Sequence, residues 1–337
     1  MEVANHPIRV EHESAVGEVR RFAAELARKQ GFESEDAGRV AIVATELGTN
    51  VLKHAGRGAI LVGLFDDETG EGIECIALDT GPGIPNLALA FRDGFSTYGS
   101  AGGGLGAIHR LSHSFDVYSL SGRGSVLLAR MEKGDPSRGR KTVFPSTGVI
   151  SVAKEGEDVC GDSWKVKRLD AGLSLLVVDG LGHGPFAADA ARAAVRAYDA
   201  TNGQAAVSVI ERLHQATHST RGAAASIAYL PSNANEVVFV GVGNVAGAAI
   251  SEGDARRMVS SNGTLGHSFK SVRPFTYPTR GETLTILASD GLGTHWTLDA
   301  YPGLRQRHPT VVAATLYRDF NRGRDDVTVL VGRRRTE

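Results

Sequence analysis

The sequence predicts an α+β protein of two domains, and three of its features agree on that architecture. Its 337 residues are about twice the length of an ordinary domain. The stretch 133–142 reads KGDPSRGRKT, lacks apolar periodicity and mixes glycine, proline and charge, as linkers do. Helical patterns are prominent before this stretch, whereas short strand-like runs dominate after it. We therefore expect one domain over 1–132, a linker over 133–142 and a second domain over 143–337.

Composition and charge argue against several classes of protein. Charged residues make up 22% of the chain and hydrophobic residues 42%, which suits a soluble globular protein. The formal net charge is −1 and neither half is strongly basic, so we expect no nucleic-acid binding, and Arg333–Arg335 is interpreted as a solvated tail. The longest aliphatic run lies within Leu173–Val178, and no leader pattern precedes the first domain. We expect no membrane association and a cytoplasmic location.

The two cysteines, Cys75 and Cys160, stand far apart in the sequence. Their spacing matches no metal-binding or redox motif. We expect both to be buried, reduced thiols.

Hydrophobic periodicity predicts the elements of the first domain. A helix is expected after Ser34, which we interpret as its N-cap because Glu35 and Asp36 follow in the first turn. The predicted elements are helices over Ala15–Gln30 and 34–54, strands over Ala59–Phe65 and Glu74–Leu78, a helix through Ile108–Ser112 after the glycine-rich stretch Gly99–Gly106, and a hairpin of Ser114–Leu120 with Ser125–Met131.

The second domain is predicted to be a sheet sandwich covered by helices, because strands outnumber helices and occur in groups. The predicted strands are Val149–Ala153, Ser174–Val178, Ala225–Tyr229, Glu236–Gly241, Thr283–Ala288 and Val327–Val331, and the predicted helices are Ala187–Ala200 and Gln204–His218.

The second predicted helix carries polar side chains on one face. Glu46, Asn50 and His54 follow each other at intervals of four residues and so project from the same side. A carboxylate with an amide one turn later can serve as a base and as an oxygen ligand for the Mg²⁺ of a nucleotide. For His54 we favour packing or capping at the helix end over catalysis. The apolar residues expected to face the core from the other side are Ile42, Val43, Val51 and Leu52.

Two glycine-rich motifs follow in the same domain. The predicted strand that ends at Leu78 leads into DTGPGI, which places Asp79 at a strand end before glycines that allow close backbone approach to a ligand. Later, GGGLG over 102–106 opens a helix and offers free backbone amides to anionic phosphate. Together the three motifs predict a nucleotide site.

These motifs resemble those of the Bergerat-fold (GHKL) ATPases, which include gyrase and the histidine kinases. ELGTN is similar to their N box, DTGPGI to the adenine box, GGGLG to the phosphate lid and GRGS over 122–125 to the last box. Residues 7–131 most resemble the RsbT-like serine/threonine switch kinases of stressosomes. The resemblance implies a sandwich-type α/β domain in which Glu46 is catalytic and Asn50 ligates Mg²⁺. The ATP-binding residues that it implies are Asn50, Asp79, Gly81, Gly83, Gly102, Gly103, Gly104, Leu105, Gly106 and Ser125.

Aspartates recur at the ends of apolar runs in the second domain. They occur in VCGDSW, LLVVDGLGHG, ILASDGLG and GRDDVTVL, as Asp162, Asp179, Asp290 and the pair Asp325 and Asp326. Single Asp-Gly pairs are ordinary turns, but turns alone do not explain this recurrence. Carboxylates at neighbouring strand ends can converge on two hard divalent cations, an arrangement suited to phosphate ester hydrolysis.

The second half, over about 145–333, resembles the metal-dependent serine/threonine phosphatases (PPM) of the SpoIIE and RsbX branch, through the same stretches and through RGAAASIAYL and VGNVAG. The resemblance implies two Mn²⁺ or Mg²⁺ ions that Asp179 bridges with help from the Gly180 carbonyl. It places Asp162 on one ion and Asp290 with Asp325 on the other, and Asp326 stays open as an alternative to Asp325.

Three further side chains in the second domain have open roles. His183 is either an acid for the leaving oxygen or a residue that orients metal ligands. Asn244 and Thr328 are expected to bond the scaffold rather than the substrate.

Together the resemblances imply a bifunctional stress-response regulator. It would use ATP and Mg²⁺ to phosphorylate Ser or Thr of a STAS-domain anti-sigma antagonist or stressosome scaffold, and would dephosphorylate the same or a related protein. A downstream phosphatase or sigma-regulatory protein is a further candidate partner. The alternative is a first domain that binds a partner or sigma factor in a nucleotide-dependent way without phosphotransfer, joined to an active phosphatase.

Overall fold

The computed structural model describes residues 4–87, 104–139, 143–201, 205–269 and 271–334. The chain divides into two compact units. Unit 1 contains the residues up to Pro145 together with Thr297–Arg318, and unit 2 contains Ser146–Trp296 and the residues from Asp319 onward. Sequence reasoning assigned Thr297–Arg318 to the second domain, and the domain boundaries given above stay a prediction.

Unit 1 is built around one antiparallel sheet with the strand order β1-β2-β3-β5-β4. Helices α1, α2 and α3 pack against it, and this confirms the predicted α+β class. The elements are β1 (His6–Val10), α1 (Glu13–Lys29), α2 (Ser34–Ala55), β2 (Gly58–Asp67), β3 (Gly70–Asp79), α3 (Gly104–Leu111), β4 (Ser114–Leu120), β5 (Gly124–Met131) and α4 (Pro136–Gly139).

The core of unit 1 lies between these helices and the sheet. Val43 and Val51 are buried on the core side of α2, as predicted. Ile42 contradicts its prediction, because 50% of it is exposed; it is one position too far round the helix to reach the core. Ser34 is the first residue of α2, and Glu33 stands at the N-cap with no side-chain cap bond, so the predicted Ser34 cap is wrong.

Unit 2 is a sandwich of two five-stranded antiparallel sheets, ordered β15-β10-β9-β8-β7 and β12-β11-β16-β17-β6. This confirms the predicted sandwich. The strands are β6 (Thr147–Val152), β7 (Asp162–Leu169), β8 (Gly172–Gly180), β9 (Ala223–Pro231), β10 (Glu236–Val242), β11 (Ala246–Ser251), β12 (Asp254–Met258), β13 (Gly263–Thr264), β14 (Ser268–Phe269), β15 (Phe275–Pro278), β16 (Thr283–Ala288) and β17 (Val327–Arg334), and the helices are α5 (Pro185–Asp199) and α6 (Ala206–Thr217).

Two apolar layers hold unit 2 together. Phe239, Leu287 and Leu330 belong to a cluster between the two sheets. Leu176 and Leu213 belong to a second cluster, which joins the outer face of the first sheet to α5 and α6. Alternation along β8 supplies both layers, since neighbouring residues of a strand face opposite sides. The backbone at the strand ends is thereby fixed, and the predicted acidic site lies there.

The arginine run at the end of the chain is not a solvated tail in its described part. Arg333 and Arg334 are 5% and 9% exposed and end β17. The Arg334 guanidinium donates to the carbonyl oxygens of Ala234 and Glu236 at 2.5 and 3.0 Å. The run of charges predicted solvent exposure of these arginines. The acceptors that bury Arg334 lie about a hundred residues away in the sequence, so no local pattern could reveal them.

The segment Thr297–Arg318 contains two short 3₁₀ turns, Leu298–Ala300 and Leu304–Gln306, and most of α7 (Pro309–Phe320). Within unit 1, the Asp116 carboxylate accepts from the backbone N–H of His308 at 2.7 Å and from Arg307 at 3.3 Å. Burial raises the pKa of Asp116, and these donors counteract the rise. The segment is therefore held by buried, charge-assisted bonds.

A buried arginine joins the same segment to the sheet. Arg130, 3% exposed, pairs with Asp67 at 2.6 Å and Glu74 at 3.0 Å and donates to the Thr310 hydroxyl at 3.0 Å. Its guanidinium also lies 4.4 Å from the centre of the Phe65 ring. Burial raises the pKa of Glu74, and the charge of Arg130 opposes that rise.

We expect Arg130→Met to lower the free energy of unfolding by about 3–5 kcal/mol, because it leaves buried carboxylates without their cation. Urea titration followed by circular dichroism measures the change. Arg20→Met, at an exposed position on α1, is the matched control and should change stability by less than about 0.5 kcal/mol. Equal effects of the two substitutions would show that the buried pairs contribute nothing.

Candidate functional site

The first site begins where α2 meets the N-terminus of α3. Glu46 and Asn50 both lie half-buried on α2. A Cβ built on Gly104, the first residue of α3, would lie 3.7 Å from the Asn50 side-chain oxygen, so the two helices approach closely. The Asn50 side-chain nitrogen is buried and has no hydrogen-bond partner in the part of the chain that the structure describes. An unsatisfied buried amide beside a helix N-terminus fits a polar, anionic ligand.

Asp79 is the last residue of β3. It is 8% exposed, and one carboxylate oxygen accepts from the backbone N–H of Gly81 at 2.8 Å. Burial raises the pKa of Asp79, and hydrogen bonds together with the charge of Arg318 counteract the rise. Arg318 also donates to the backbone oxygen of Asp79 at 3.2 Å, a contact that sequence reasoning missed. The partner lies 239 residues away, so no local signal could have revealed it.

The loop after Asp79 tolerates no side chains at its glycines. A Cβ on Gly81 would lie 2.6 Å from the Ala55 Cβ, closer than real carbon atoms approach. Gly83 has φ of +77° in the left-handed region, which favours glycine. Burial lowers the pKa of the neighbouring His54, and Lys53 lowers it further. The loop therefore passes tightly over the end of α2.

The last box meets this loop through hydroxyl groups. Ser125 is 3% exposed, and its hydroxyl lies 3.0 Å from that of Ser119. Ser119 in turn accepts from the backbone N–H of Ile84 at 2.7 Å. Ser125 is thus linked through Ser119 to Ile84, the last residue of the DTGPGI loop.

Part of the predicted phosphate lid can be placed. Gly104, Leu105 and Gly106 form the first turn of α3, and Leu105 is buried against the core. Gly102 and Gly103 lie outside the described residues. The helix N-terminus predicted from GGGLG is therefore confirmed, whereas its contacts with phosphate stay a prediction.

The second site lies at the strand ends of unit 2. Asp162 and Asp179 are directly opposite each other in the β7–β8 register. A carboxylate oxygen of Asp179 accepts from the backbone N–H of Asp290 at 3.3 Å. Burial raises the pKa of Asp179 to about 7, and the neighbouring negative charges of Asp290, Asp325 and Asp326 contribute. Carboxylates more than a hundred positions apart in the sequence therefore influence each other's pKa values.

The aspartates of the cluster lie close enough for their negative charges to interact. Asp290 interacts with Asp325, Asp162 interacts with Asp179 and Asp326, and Asp325 interacts with Asp326. Asp162 and Asp326 each keep one buried carboxylate oxygen without a partner among the described residues. Unsatisfied buried anionic oxygens are costly unless a cation or donor compensates them. The chemistry of this donor set fits hard divalent cations.

The carboxylates are presently turned toward protein donors. Among the described residues, no three acidic, histidine or cysteine side chains are gathered closely enough to make a complete metal-ligand group. Asn244 donates to Asp290, the backbone N–H of Lys154 donates to Asp326 at 2.9 Å, and Asp325 accepts from its neighbour's N–H at 3.0 Å. Asn244 was expected to bond the scaffold rather than the substrate, and its partner here is a predicted metal ligand.

Two glycines shape the cluster. Gly180 ends β8, and its N–H donates to the Gly161 carbonyl at 3.2 Å. A Cβ on Gly161 would lie 2.6 Å from an Asp326 carboxylate oxygen, so this position has no room for a side chain. Thr328, as predicted, bonds the scaffold: its hydroxyl lies 2.9 Å from that of Ser151.

His183 pairs with a residue that sequence reasoning missed. Its Nδ1 lies 2.5 Å from a carboxylate oxygen of Glu157, and its side chain is 45% exposed. A carboxylate that orients an imidazole is a recurring feature of catalytic and metal-binding histidines. The acidic stretch EGEDVCGD held the signal, but nothing local singled out Glu157 from its neighbours. The two roles considered for His183 both remain compatible with this pair.

Both cysteines are free, buried thiols, as predicted. Burial raises the pKa of Cys75 to about 12 and raises that of Cys160 as well, so neither is a reactive thiolate at neutral pH. Within the described ranges, no helix is long and apolar enough to cross a membrane.

Comparison with known proteins finds relatives of both halves of the chain. Residues 9–131 match the histidine kinase-like ATPase domain. The serine/threonine-protein kinase RsbT of Bacillus subtilis (strain 168) is 34% identical over 122 residues, which are 36% of this chain and 92% of RsbT. The phosphoserine phosphatase RsbX of the same organism is 36% identical over 99 residues, 29% of this chain. The chain spans about half the length of RsbX.

A solved structure agrees with these relatives. It comes from work on the bacterial stressosome as a modular system adapted to control secondary messenger signaling. It superposes with a TM-score of 0.52 at 26% identity and covers 56% of this chain and 98% of that chain.

The raised pKa of Asp179 predicts a pH-dependent stability in the presence of EDTA. The folded state keeps a proton that the unfolded chain releases near pH 4, so stability should fall as pH rises from about 4 to about 7. Asp179→Asn removes this loss. We expect its melting temperature to exceed that of the wild type at pH 8, with a difference that shrinks toward pH 4.

Thermal unfolding followed by circular dichroism at both pH values measures this difference. Asp158→Asn, at an exposed position outside the cluster, is the control and should melt like the wild type throughout. A difference of the same size at pH 4 and pH 8 would contradict the burial of Asp179 among like charges.

Proposed function

We propose that this chain both adds phosphate to one protein substrate and removes it. Through residues 9–131 the chain belongs to the RsbT-like kinases of the histidine kinase-like ATPase family. Its second half is similar to the PPM phosphatase RsbX. The substrate we propose is a serine or threonine of a STAS-domain stressosome protein or anti-sigma antagonist. The phosphorylated fraction of that partner would then follow the ratio of two activities in one polypeptide.

The observation that carries the phosphatase half of this proposal is the acidic cluster. Asp162 faces Asp179 across the strand pair, and buried oxygens of Asp162 and Asp326 lack partners among the described residues. Structural acids of this kind would normally be paired. In our proposal Asp162 and Asp179 would hold one divalent ion, and Asp179, Asp290 and Asp325, assisted by the Gly180 carbonyl, would hold a second.

Divalent Mn²⁺ or Mg²⁺, when bound, supplies charge stabilisation and lowers the pKa of water for attack on phosphorus. The residues of the chain hold and orient the reacting groups. Asn244 fixes the Asp290 carboxylate by donating to it. The Glu157 carboxylate fixes the imidazole of His183, from which a proton can pass to the leaving serine oxygen.

The kinase half of the proposal rests on the arrangement of Glu46, Asn50 and Asp79. Asp79 accepts from the adenine amino group, and the buried carboxamide of Asn50 contributes an oxygen ligand to the Mg²⁺ of ATP. Glu46, one turn before Asn50 on α2, takes the proton from the attacking hydroxyl. The N-terminus of α3 binds phosphate through its free amides.

Glu46→Gln tests the kinase. We expect phosphate transfer from labelled ATP to a STAS-domain protein to fall by about 10²–10⁴-fold, because the general base is lost. The dissociation constant for ATP, measured by calorimetry, should change by less than about threefold, and Glu18→Gln on the exposed face of α1 should behave like the wild type. Tight partner binding with no label transfer by the wild type would instead support a binding module.

Two single variants, Asp325→Asn and Asp326→Asn, test which of the two aspartates is a metal ligand of the proposed phosphatase site. Asp326 is 2% exposed and accepts backbone bonds from Lys154 and Gly161, a structural role that asparagine can partly keep. Asp325 is less buried and faces Asp290. We expect Asp325→Asn to lower Mn²⁺-dependent phosphoserine hydrolysis by more than about 100-fold, and Asp326→Asn to lower it by less than about tenfold.

Release of inorganic phosphate from a phosphorylated STAS-domain protein measures both variants. The reverse order of effects would make Asp326 the ligand. Full activity in both variants would contradict the two-ion site.

A further inference from the structure

An exposed aromatic and cationic pocket adjoins the loop that follows Asp179 and Gly180. Phe186, in the first turn of α5, is 65% exposed. The guanidinium of Arg221 lies over its ring, 4.9 Å from the centroid. Together with Asp189, Ser219 and Thr220 they line a pocket of about 300 Å³. The pocket plays no part in the mechanism described above.

The positive charge of Arg221 is not neutralised in the part of the chain that the structure describes. No carboxylate there pairs with it, and the acid that lines the same pocket, Asp189, lies 3.4 Å from Arg192 instead. One nitrogen of the guanidinium lies 3.2 Å from the point where a Cβ on Gly182 would stand. The charge is thus held against the backbone between Gly180 and His183. An arginine stacked on an aromatic ring keeps its in-plane donors for a bidentate anion.

The backbone that carries Arg221 is tied directly to the loop after Asp179. The N–H of Leu181 donates to the carbonyl of Gly222 at 3.0 Å, and the His267 ring lies 2.8 Å from the carbonyl oxygen of Arg221. The N–H of Gly222 also donates to the Thr220 hydroxyl at 3.1 Å. A donor on such a fixed loop loses little conformational entropy when a ligand binds.

We propose that the pocket formed by Phe186 and Arg221 binds an anionic group of the phosphoprotein substrate and so determines its specificity. This inference rests on the proposed phosphatase function, because the loop against which Arg221 lies directly follows Asp179 and Gly180 in the chain. Two groups of one substrate have the required chemistry: the phosphate itself, and a carboxylate beside the phosphoserine. The exposed ring of Phe186 contacts the adjoining apolar atoms.

Fluorescent phosphoserine peptides with the full chain test this inference. One peptide carries glutamates beside the phosphoserine and the other carries alanines, and binding is followed by anisotropy with MnCl₂ present. Arg221→Ala should weaken binding of the acidic peptide by about tenfold, because a charge-assisted bond is lost. Arg221→Lys should restore part of the affinity, and Phe186→Ala should weaken it by about threefold. Arg212→Ala, at an exposed position on α6, is the matched control.

The pattern across the peptides decides between the two anions. Equal losses for both peptides would identify the phosphate as the group bound, and a loss confined to the acidic peptide would identify the neighbouring carboxylate. Unchanged binding of both peptides by Arg221→Ala, in a variant that melts like the wild type, would overturn the inference. The binding assay needs no turnover, so a wild-type chain that binds but fails to hydrolyse the peptides would refute the proposed function alone.

Discussion

The candidate site of unit 2 depends on one constraint: carboxylates of like charge are held close together at the ends of buried strands. Water would separate such carboxylates, but the β-sandwich fixes the backbone that carries them, and the register of β7 with β8 sets Asp162 against Asp179. The apolar layers on either side supply the free energy that offsets this repulsion. Repulsion among these carboxylates lowers the stability of the fold, and a bound cation would compensate it. Such destabilising arrangements are common at functional sites.

Unit 1 also holds polar groups in a buried setting, but with fewer charges. Asp79 is buried at the end of β3, and the Asn50 amide, where two helices approach each other, has no hydrogen-bond partner among the described residues. Tight glycine positions hold the surrounding loops, so the site is shaped mainly by backbone. The two units therefore present different ligand chemistries. Under the proposed function, one offers amides and a single carboxylate to a nucleotide, and the other offers a group of carboxylates to metal ions.

Sequence patterns predicted the elements that have strong periodicity and the residues that lie within motifs. They failed where neighbours distant in the chain decide the outcome. The strands β11 and β12 were missed because AGAAIS lacks bulky β-formers and DARRM is polar. Pairing of β11 with β16, and of β12 with β11, overrides these local preferences. Motif spacing located His183 but not its partner Glu157. The contact of Arg318 with Asp79 depends on a segment whose place in the fold no local pattern encodes.

The most direct test of this account is a crystal structure of the full chain grown with MnCl₂ and a non-hydrolysable ATP analogue, analysed by anomalous scattering at the manganese edge. The account predicts two manganese peaks that share Asp179, one beside Asp162 and the other beside Asp290 and Asp325. It also predicts an adenine amino group within hydrogen-bond distance of Asp79. Manganese bound away from the aspartate cluster, with the nucleotide absent from the Asp79 pocket, would contradict the account.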